Sequence, residues 1–207
     1  MNLQFGAGLD GPEGWLNVDA SPTLRLQRLP IAGPLLRPWL HPQFSRRVVY
    51  GDVVRGLRLS DGSVDLVYCS HVLEHLALSD CLLALREVLR VLKPGGVFRG
   101  VLPDLAQEVQ AYLSSRDHEP ATEFMRSTLM GWEERPRGLL AMVRTAYGNS
   151  RHLWMWDFPS LAYRLNEAGF IDIRAATFND SSDPAFRAVE SAERWENALG
   201  FECRKPR

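Results

Sequence analysis

The stretch from Val64 to Leu102 leaves this chain few choices of fold. Val64–Cys69 (VDLVYC) is β-branched and aromatic, the make-up of a strand. Leu82, Leu85, Leu89 and Leu92 follow at helical spacing, and Ser79 or Asp80 stands where a helix cap is expected. Lys93 falls in the last turn, and Pro94-Gly95-Gly96 stops the helix. Val97–Leu102 then reads as a second strand, ended by Pro103-Asp104. A strand–helix–strand unit crosses over right-handed and lays its two strands parallel in one sheet. Such sheets take their ligands at the carboxyl ends of the strands.

The amino-terminal stretch says what kind of ligand that could be. Leu3–Phe5 is a short apolar run ending in Gly6-Ala7-Gly8, and Trp15–Val18 is a second run ending in Asp19. Two glycines after a strand let a backbone approach a ligand without interference from Cβ. A carboxylate just past the next strand can accept hydrogen bonds from two adjacent hydroxyls, as on a ribose. Together they predict a nucleoside-bearing cofactor, although Gly-Ala-Gly alone would also suit a tight turn. A nicotinamide dinucleotide fits poorly. Its fingerprint sets the acid roughly 20 residues beyond the glycines, behind a full helix. Asp19 follows Gly8 too closely for that.

Further along, Pro22, Pro30, Pro34, Pro38 and Pro42 forbid a long helix, so a loop with at most a short helix near Leu35–Leu40 is expected. Arg47–Tyr50 reads as a strand, and Asp52 after it repeats the placement of Asp19. From about Leu105 to Gly148 the pattern is helical but interrupted, with Trp132, Met142 and Tyr147 among charges; we read residues 105–150 as a helical cap insertion over the sheet. Arg151–Pro159 is dense in large aromatics. Pro159–Ala168 reads as a helix closed by Gly169, followed by strands at Phe170–Ala175 and Ala198–Arg204. A chain of 207 residues is then one domain, 1–207.

A net charge of −1 offers no basic field, so neither nucleic acid nor membrane is expected as a partner. Three unpatterned cysteines suit free thiols in a reducing compartment, and no leader-like or bilayer-spanning run is evident. A cytoplasmic location is the expectation.

At this point the order GAG, NVDAS, YGDV, DGSVDLVYCSHVLEHL and REVLRVLKPGGVFRGVLPD resembles the class I S-adenosylmethionine-dependent methyltransferases of type 11. The HLWMWDFPSL stretch resembles a small bacterial subgroup of them. The resemblance implies a Rossmann-like, doubly wound, mostly parallel sheet of seven strands whose last strand is antiparallel. It implies S-adenosyl-L-methionine as cofactor, with Gly6, Ala7 and Gly8 at its methionine and ribose part and Asp19 on the ribose hydroxyls. Asp52 and Val53 would lie at the adenine, and Ser70 and His71 near the sulfonium and the acceptor. The subgroup's link to surface polysaccharides suggests a small-molecule or saccharide acceptor and O-methylation. The chain departs from the family in two ways: it opens at the first strand, and the link from Phe5 to Trp15 is shorter than a parallel crossover normally takes.

Methyl transfer to a hydroxyl needs alignment and a base. His152, ahead of the aromatic segment, is the first candidate and His71 the second; Trp154 and Trp156 are candidates to line the acceptor pocket. His71, Glu74 and His75 also spell H-x-x-E-H, a zinc signature of some metalloproteases. This supports a rival reading as a zinc hydrolase. That would require a third ligand and a longer helix, so no metal is expected, and Glu74 and His75 are read as polar anchors of a short turn. Two further rivals are a non-catalytic S-adenosylmethionine-binding module and a nucleotide-sugar enzyme.

Overall fold

The computed structural model describes residues 1–134 and 151–207. Its centre is a seven-stranded sheet in the order β3-β2-β1-β4-β5-β7-β6. The strands are β1 (Asn2–Phe5), β2 (Trp15–Asp19), β3 (Val48–Tyr50), β4 (Val64–Ser70), β5 (Leu92–Pro103), β6 (Ile171–Ala176) and β7 (Ala198–Arg204). β1 to β5 pair in parallel. β7 runs antiparallel to both β5 and β6. This is the doubly wound α/β arrangement expected, with the last strand reversed.

The described α-helices are α1 (Pro22–Gln27), α2 (Ala32–Leu36), α3 (Leu78–Val91), α4 (Leu105–Ser114), α5 (Pro120–Ser127), α6 (Phe158–Ala168) and α7 (Ala192–Trp195), with short 3-10 turns at Arg37–Trp39, Leu73–His75 and Pro184–Ala188. The main core gathers Leu3, Phe5, Val67 and Phe98 from the sheet with Leu85, Val88, Leu161 and Leu165 from α3 and α6. α6 starts on Asp157, whose side chain accepts from the Ser160 N–H, and ends at Gly169 with φ 104°. There the left-handed backbone makes glycine the natural stop.

Several local expectations need correction. The proline-rich segment holds α1, because Pro22 sits in its first turn, where a missing N–H costs nothing. α3 starts one residue before Ser79, with no side-chain cap. Its buried face is Cys81, Ala84, Leu85, Val88 and Val91 rather than the row of leucines, since small residues let the helix sit close to the sheet. Leu92 and Lys93 belong to β5, and Pro94-Gly95-Gly96 bulges out of that strand: Val64 pairs with Leu92, but Leu66 pairs with Val97. The amide of Gly95 and the carbonyl of Gly96 are taken by Lys205, so the ladder continues past the bulge.

The short first crossover is confirmed: residues 6–14 contain no helix. Asn17, almost fully buried, holds this link by donating to the carbonyls of Pro12 and Trp15. α4 and α5 are joined by Tyr112 and Phe124, whose rings meet edge to face at 5.7 Å. The rest of the expected cap, including Met142 and Tyr147, lies outside the described residues. No helix among the described residues is long and apolar enough to cross a membrane.

Candidate functional site

Parallel pairing sets the ends of four strands in one row. Phe5 is level with both Val18 and Cys69, and Asp19 is level with Tyr50. One residue further on, Gly6, Asp19 and Ser70 stand side by side at the carboxyl edge. The sheet reverses its winding between β1 and β4, the place where open α/β sheets form a crevice.

The Gly6–Gly8 loop is shaped by backbone geometry. Gly6 and Gly8 have φ of 63° and 67°. A Cβ on Gly6 would sit 2.2 Å from a methyl of Val72, whereas one on Gly8 would meet nothing within 4 Å. Gly6 is therefore required by packing, and Gly8 faces open space. Ala7 rests on the small cluster of Leu24, Phe44 and Val48, and its N–H donates to the Val18 carbonyl at 3.1 Å. Asp19 accepts from the Gly8 N–H at 3.1 Å through one oxygen and from the Ser21 N–H at 2.8 Å through the other. Burial raises its pKa, and these two hydrogen bonds offset only part of that. Each carboxylate oxygen keeps a lone pair for a further donor.

Asp52 closes a turn after β3, accepting from Val54 N–H at 3.0 Å and Arg55 N–H at 3.3 Å. The Val53 side chain is in the main core, so only its backbone is available to a ligand at that edge.

Beyond β4 the backbone turns sharply. His71 has φ 52°, an uncommon value for a residue with a side chain, and its N–H donates to the Val101 carbonyl at 2.8 Å. Its Nε2 donates to the Arg194 carbonyl at 2.9 Å and its Nδ1 lies 3.4 Å from Glu74. Burial pulls the His71 pKa down, but Glu74 and the Arg194 carbonyl more than offset this and leave it raised. One ring nitrogen is thus bonded and the other faces a buried carboxylate, which favours a holding role over a free base. The Ser70 hydroxyl is buried without a partner.

Leu73–His75 is a single 3-10 turn, not the long helix a metalloprotease motif needs. Its anchoring is as expected in place but not in atoms. The Glu74 carbonyl accepts from Leu153 N–H at 2.7 Å and Trp154 N–H at 3.2 Å, and His75 Nδ1 donates to the Arg151 carbonyl at 2.8 Å. These bonds bring the 151–156 segment against the end of β4 and place His152 beside His75, ring centroids 5.0 Å apart. The Glu74 carboxylate is 0% exposed, and neither oxygen has a hydrogen-bond partner. His152 Nδ1 is likewise buried and unpartnered. Burial lowers the His152 pKa despite the nearby Glu74. Sequence reasoning had these residues but no sign that they meet.

The tryptophans divide. Trp154 is 42% exposed, while Trp156 is 1% exposed, a core residue whose ring belongs to the main cluster. The Trp156 carbonyl holds Leu105 N–H at 2.9 Å, which fixes the segment against the start of α4. The two rings, 6.2 Å apart, border a cleft of about 540 Å³ shared with Leu105 and Tyr163.

Comparison with known proteins agrees with this fold. Residues 29–99 match the family described as "Methyltransferase domain". No curated protein matches the chain in sequence. Among solved structures, the complex between the Haloferax volcanii Trm112 methyltransferase activator and a candidate methyltransferase is similar at TM-score 0.50 and 17% identity, covering 100% of this chain and 82% of that one. PigF with S-adenosylhomocysteine is similar at 0.50 and 19% identity, over 99% of this chain and 49% of PigF. The CurJ carbon methyltransferase gives 0.50 and 14%, over 100% and 48%. This chain spans about half the length of the latter two, and at these identities the likeness speaks for fold alone. The sheet order is that of the Rossmann-like methyltransferase fold, and over residues 29–99 the chain is similar to the methyltransferase domain family.

Proposed function

We propose that the protein transfers a methyl group from S-adenosyl-L-methionine to a hydroxyl of a small-molecule or saccharide acceptor. The observation that carries this is the row at the carboxyl edge, where Gly8 and Asp19 are joined by a hydrogen bond of 3.1 Å beside an open backbone. The adenosine ribose would lie on Asp19 and the bare Gly6–Gly8 loop, with its adenine towards Asp52 and Val53. PigF, with the same fold, was solved with S-adenosylhomocysteine. The three cysteines are buried and unpaired, which suits the reducing cytoplasm.

The methyl would then point toward Ser70 and the polar cluster of Glu74, His75 and His152, while His71 orients the turn. Transfer moves a methyl from sulfur to oxygen, and the sulfonium leaves as a neutral thioether. The acceptor hydroxyl gives up its proton to this cluster. Alignment supplies the larger share, up to about 7–11 kcal/mol, and the base roughly 10²–10⁴-fold. Trp154 and the residues 105–134 would cap the acceptor side.

The test is methyl transfer from cofactor carrying a radiolabelled methyl to a panel of sugars and small alcohols. Label should appear in at least one acceptor, and His152→Ala should lower that rate at least tenfold. Label going only to amines or carbon acids would exclude O-methylation. A protein that binds cofactor but labels nothing would favour the non-catalytic reading.

A further inference from the structure

A buried carboxylate with no partner calls for an explanation, because removing a charge from water is costly unless something replaces the lost hydration. Glu74 is such a group, and it points into a nest of imidazoles. Among the described residues, Glu74, His75 and His152 form a group of three metal-ligating side chains whose ligand atoms all lie within 4.8 Å of one another.

The hydrogen bonds around them settle which nitrogen of His75 is free. A carbonyl only accepts, so the bond to Arg151 puts the hydrogen on Nδ1. In a neutral ring Nε2 is then a lone pair, and it lies 3.9 Å from Glu74 Oε1. A lone pair facing a carboxylate repels it unless a cation stands between them. The Nδ1–H to carbonyl bond is also how ligating histidines are held in register, with the second nitrogen presented to the ion. His152 brings a further buried nitrogen without a partner. His71 Nδ1 also lies 3.4 Å from Glu74 Oε1, but its other nitrogen is tied to the Arg194 carbonyl and the ring is not one of the three.

We propose that Glu74, His75 and His152 bind a divalent transition-metal ion. Two imidazoles and one carboxylate suit zinc, manganese or ferrous iron, and they leave coordination positions open for another ligand. Bonds of about 2.0–2.2 Å require the donors to draw slightly closer than they stand. The backbone pairing of the Leu73–His75 turn with Leu153 and Trp154 fixes both halves of the site, so rotation of the side chains suffices. Resting on the methyl-transfer reading above, the open positions face the acceptor, and the ion takes the oxygens of a vicinal diol or similar hydroxyl pair. An acceptor with a single isolated hydroxyl would hold less well.

The experiment uses the full chain, stripped with a chelator and titrated with zinc chloride and manganese chloride. Metal content is read after dialysis, and the melting temperature in parallel. Wild type should hold one equivalent and melt higher with metal. His152→Ala, at a half-buried position, should fold and lose binding by more than the roughly 10–100-fold that loss of a supporting outer residue costs. Glu74→Gln should melt no lower than wild type without metal and fail to bind it, whereas His71→Ala should keep one equivalent. Less than a tenth of an equivalent in wild type, or unchanged binding in His152→Ala, would overturn the proposal and leave protons alone to balance Glu74. A titration with S-adenosylhomocysteine, run beside the metal titrations on the same protein, separates the two readings. Cofactor without metal defeats the ion; metal without cofactor defeats methyl transfer.

Discussion

The backbone N–H of Gly8 and the side chain of Asp19 are joined by a hydrogen bond of 3.1 Å. This bond ties the loop after β1 to the end of β2. It also makes Asp19 a compromise, since burial raises its pKa and disfavours its charge in the free protein.

Asp19→Asn should therefore divide stability from binding. A carboxyl whose pKa is raised on folding contributes most when protonated, and that contribution fades as pH rises from the ordinary aspartate range through the raised value. Wild type should lose melting temperature across that window relative to Asp19→Asn. The variant should nonetheless bind S-adenosylhomocysteine about 10–100-fold more weakly, the worth of a charged hydrogen bond. Paired thermal melts and titrations check both halves.

Gly6 and Gly8 should respond differently to alanine. In Gly6→Ala the new methyl would meet Val72 at 2.2 Å in a left-handed backbone. That combines about 1–2 kcal/mol of conformational cost with about 1–3 kcal/mol of forced packing. Gly8→Ala carries only the conformational cost, because its methyl enters open space. Its folding should survive and its cofactor binding should not. Equal loss of stability in both variants would contradict this division.

On the opposite face of the sheet, fully buried Arg99 donates to Glu190 at 2.5 Å, Asp180 at 2.8 Å and Glu202 at 3.2 Å. Its guanidinium lies 4.6 Å from the Trp195 ring centre. Arg99→Met would leave buried Glu190 without its cation and Glu202 with Arg174 alone, so a loss of about 3–5 kcal/mol is expected in denaturant unfolding.

The same network gives an acid limit. Burial opposes the charge on Asp180, but hydrogen bonds from Arg174, Thr177 N–H and Arg99 outweigh it and hold its pKa well below the usual carboxylate value. A depressed carboxylate contributes stability above its unfolded pKa and loses it as pH falls through the folded one. Wild type should therefore destabilise below about pH 4, and Asp180→Asn should flatten that part of the melting profile.

The sheet was readable because β-branched and aromatic runs at Val64–Cys69 and Val97–Leu102 could be little else, and the glycine stop at Gly169 needed only local backbone chemistry. What escaped depended on contacts between distant parts of the chain. Cys81 and Ala84 look like poor core residues until α3 is seen lying close on the sheet, and Pro94-Gly95-Gly96 looks like a loop until Lys205 pairs with it. Trp154 and Trp156 are near neighbours in a strand-like segment, yet one is exposed and the other buried. The meeting of His75 with His152 depends on how the 151–156 segment is pinned to Glu74, which no spacing in the sequence records.

The central claim is that an adenosine-bearing cofactor lies across the carboxyl ends of β1 and β2, held by Asp19 and the open Gly6–Gly8 backbone. Calorimetric titration with S-adenosylhomocysteine tests it most directly. One equivalent bound by wild type, with affinity at least tenfold weaker in Asp19→Ala, is the predicted result. No binding to wild type, or the same affinity in both proteins, would contradict it.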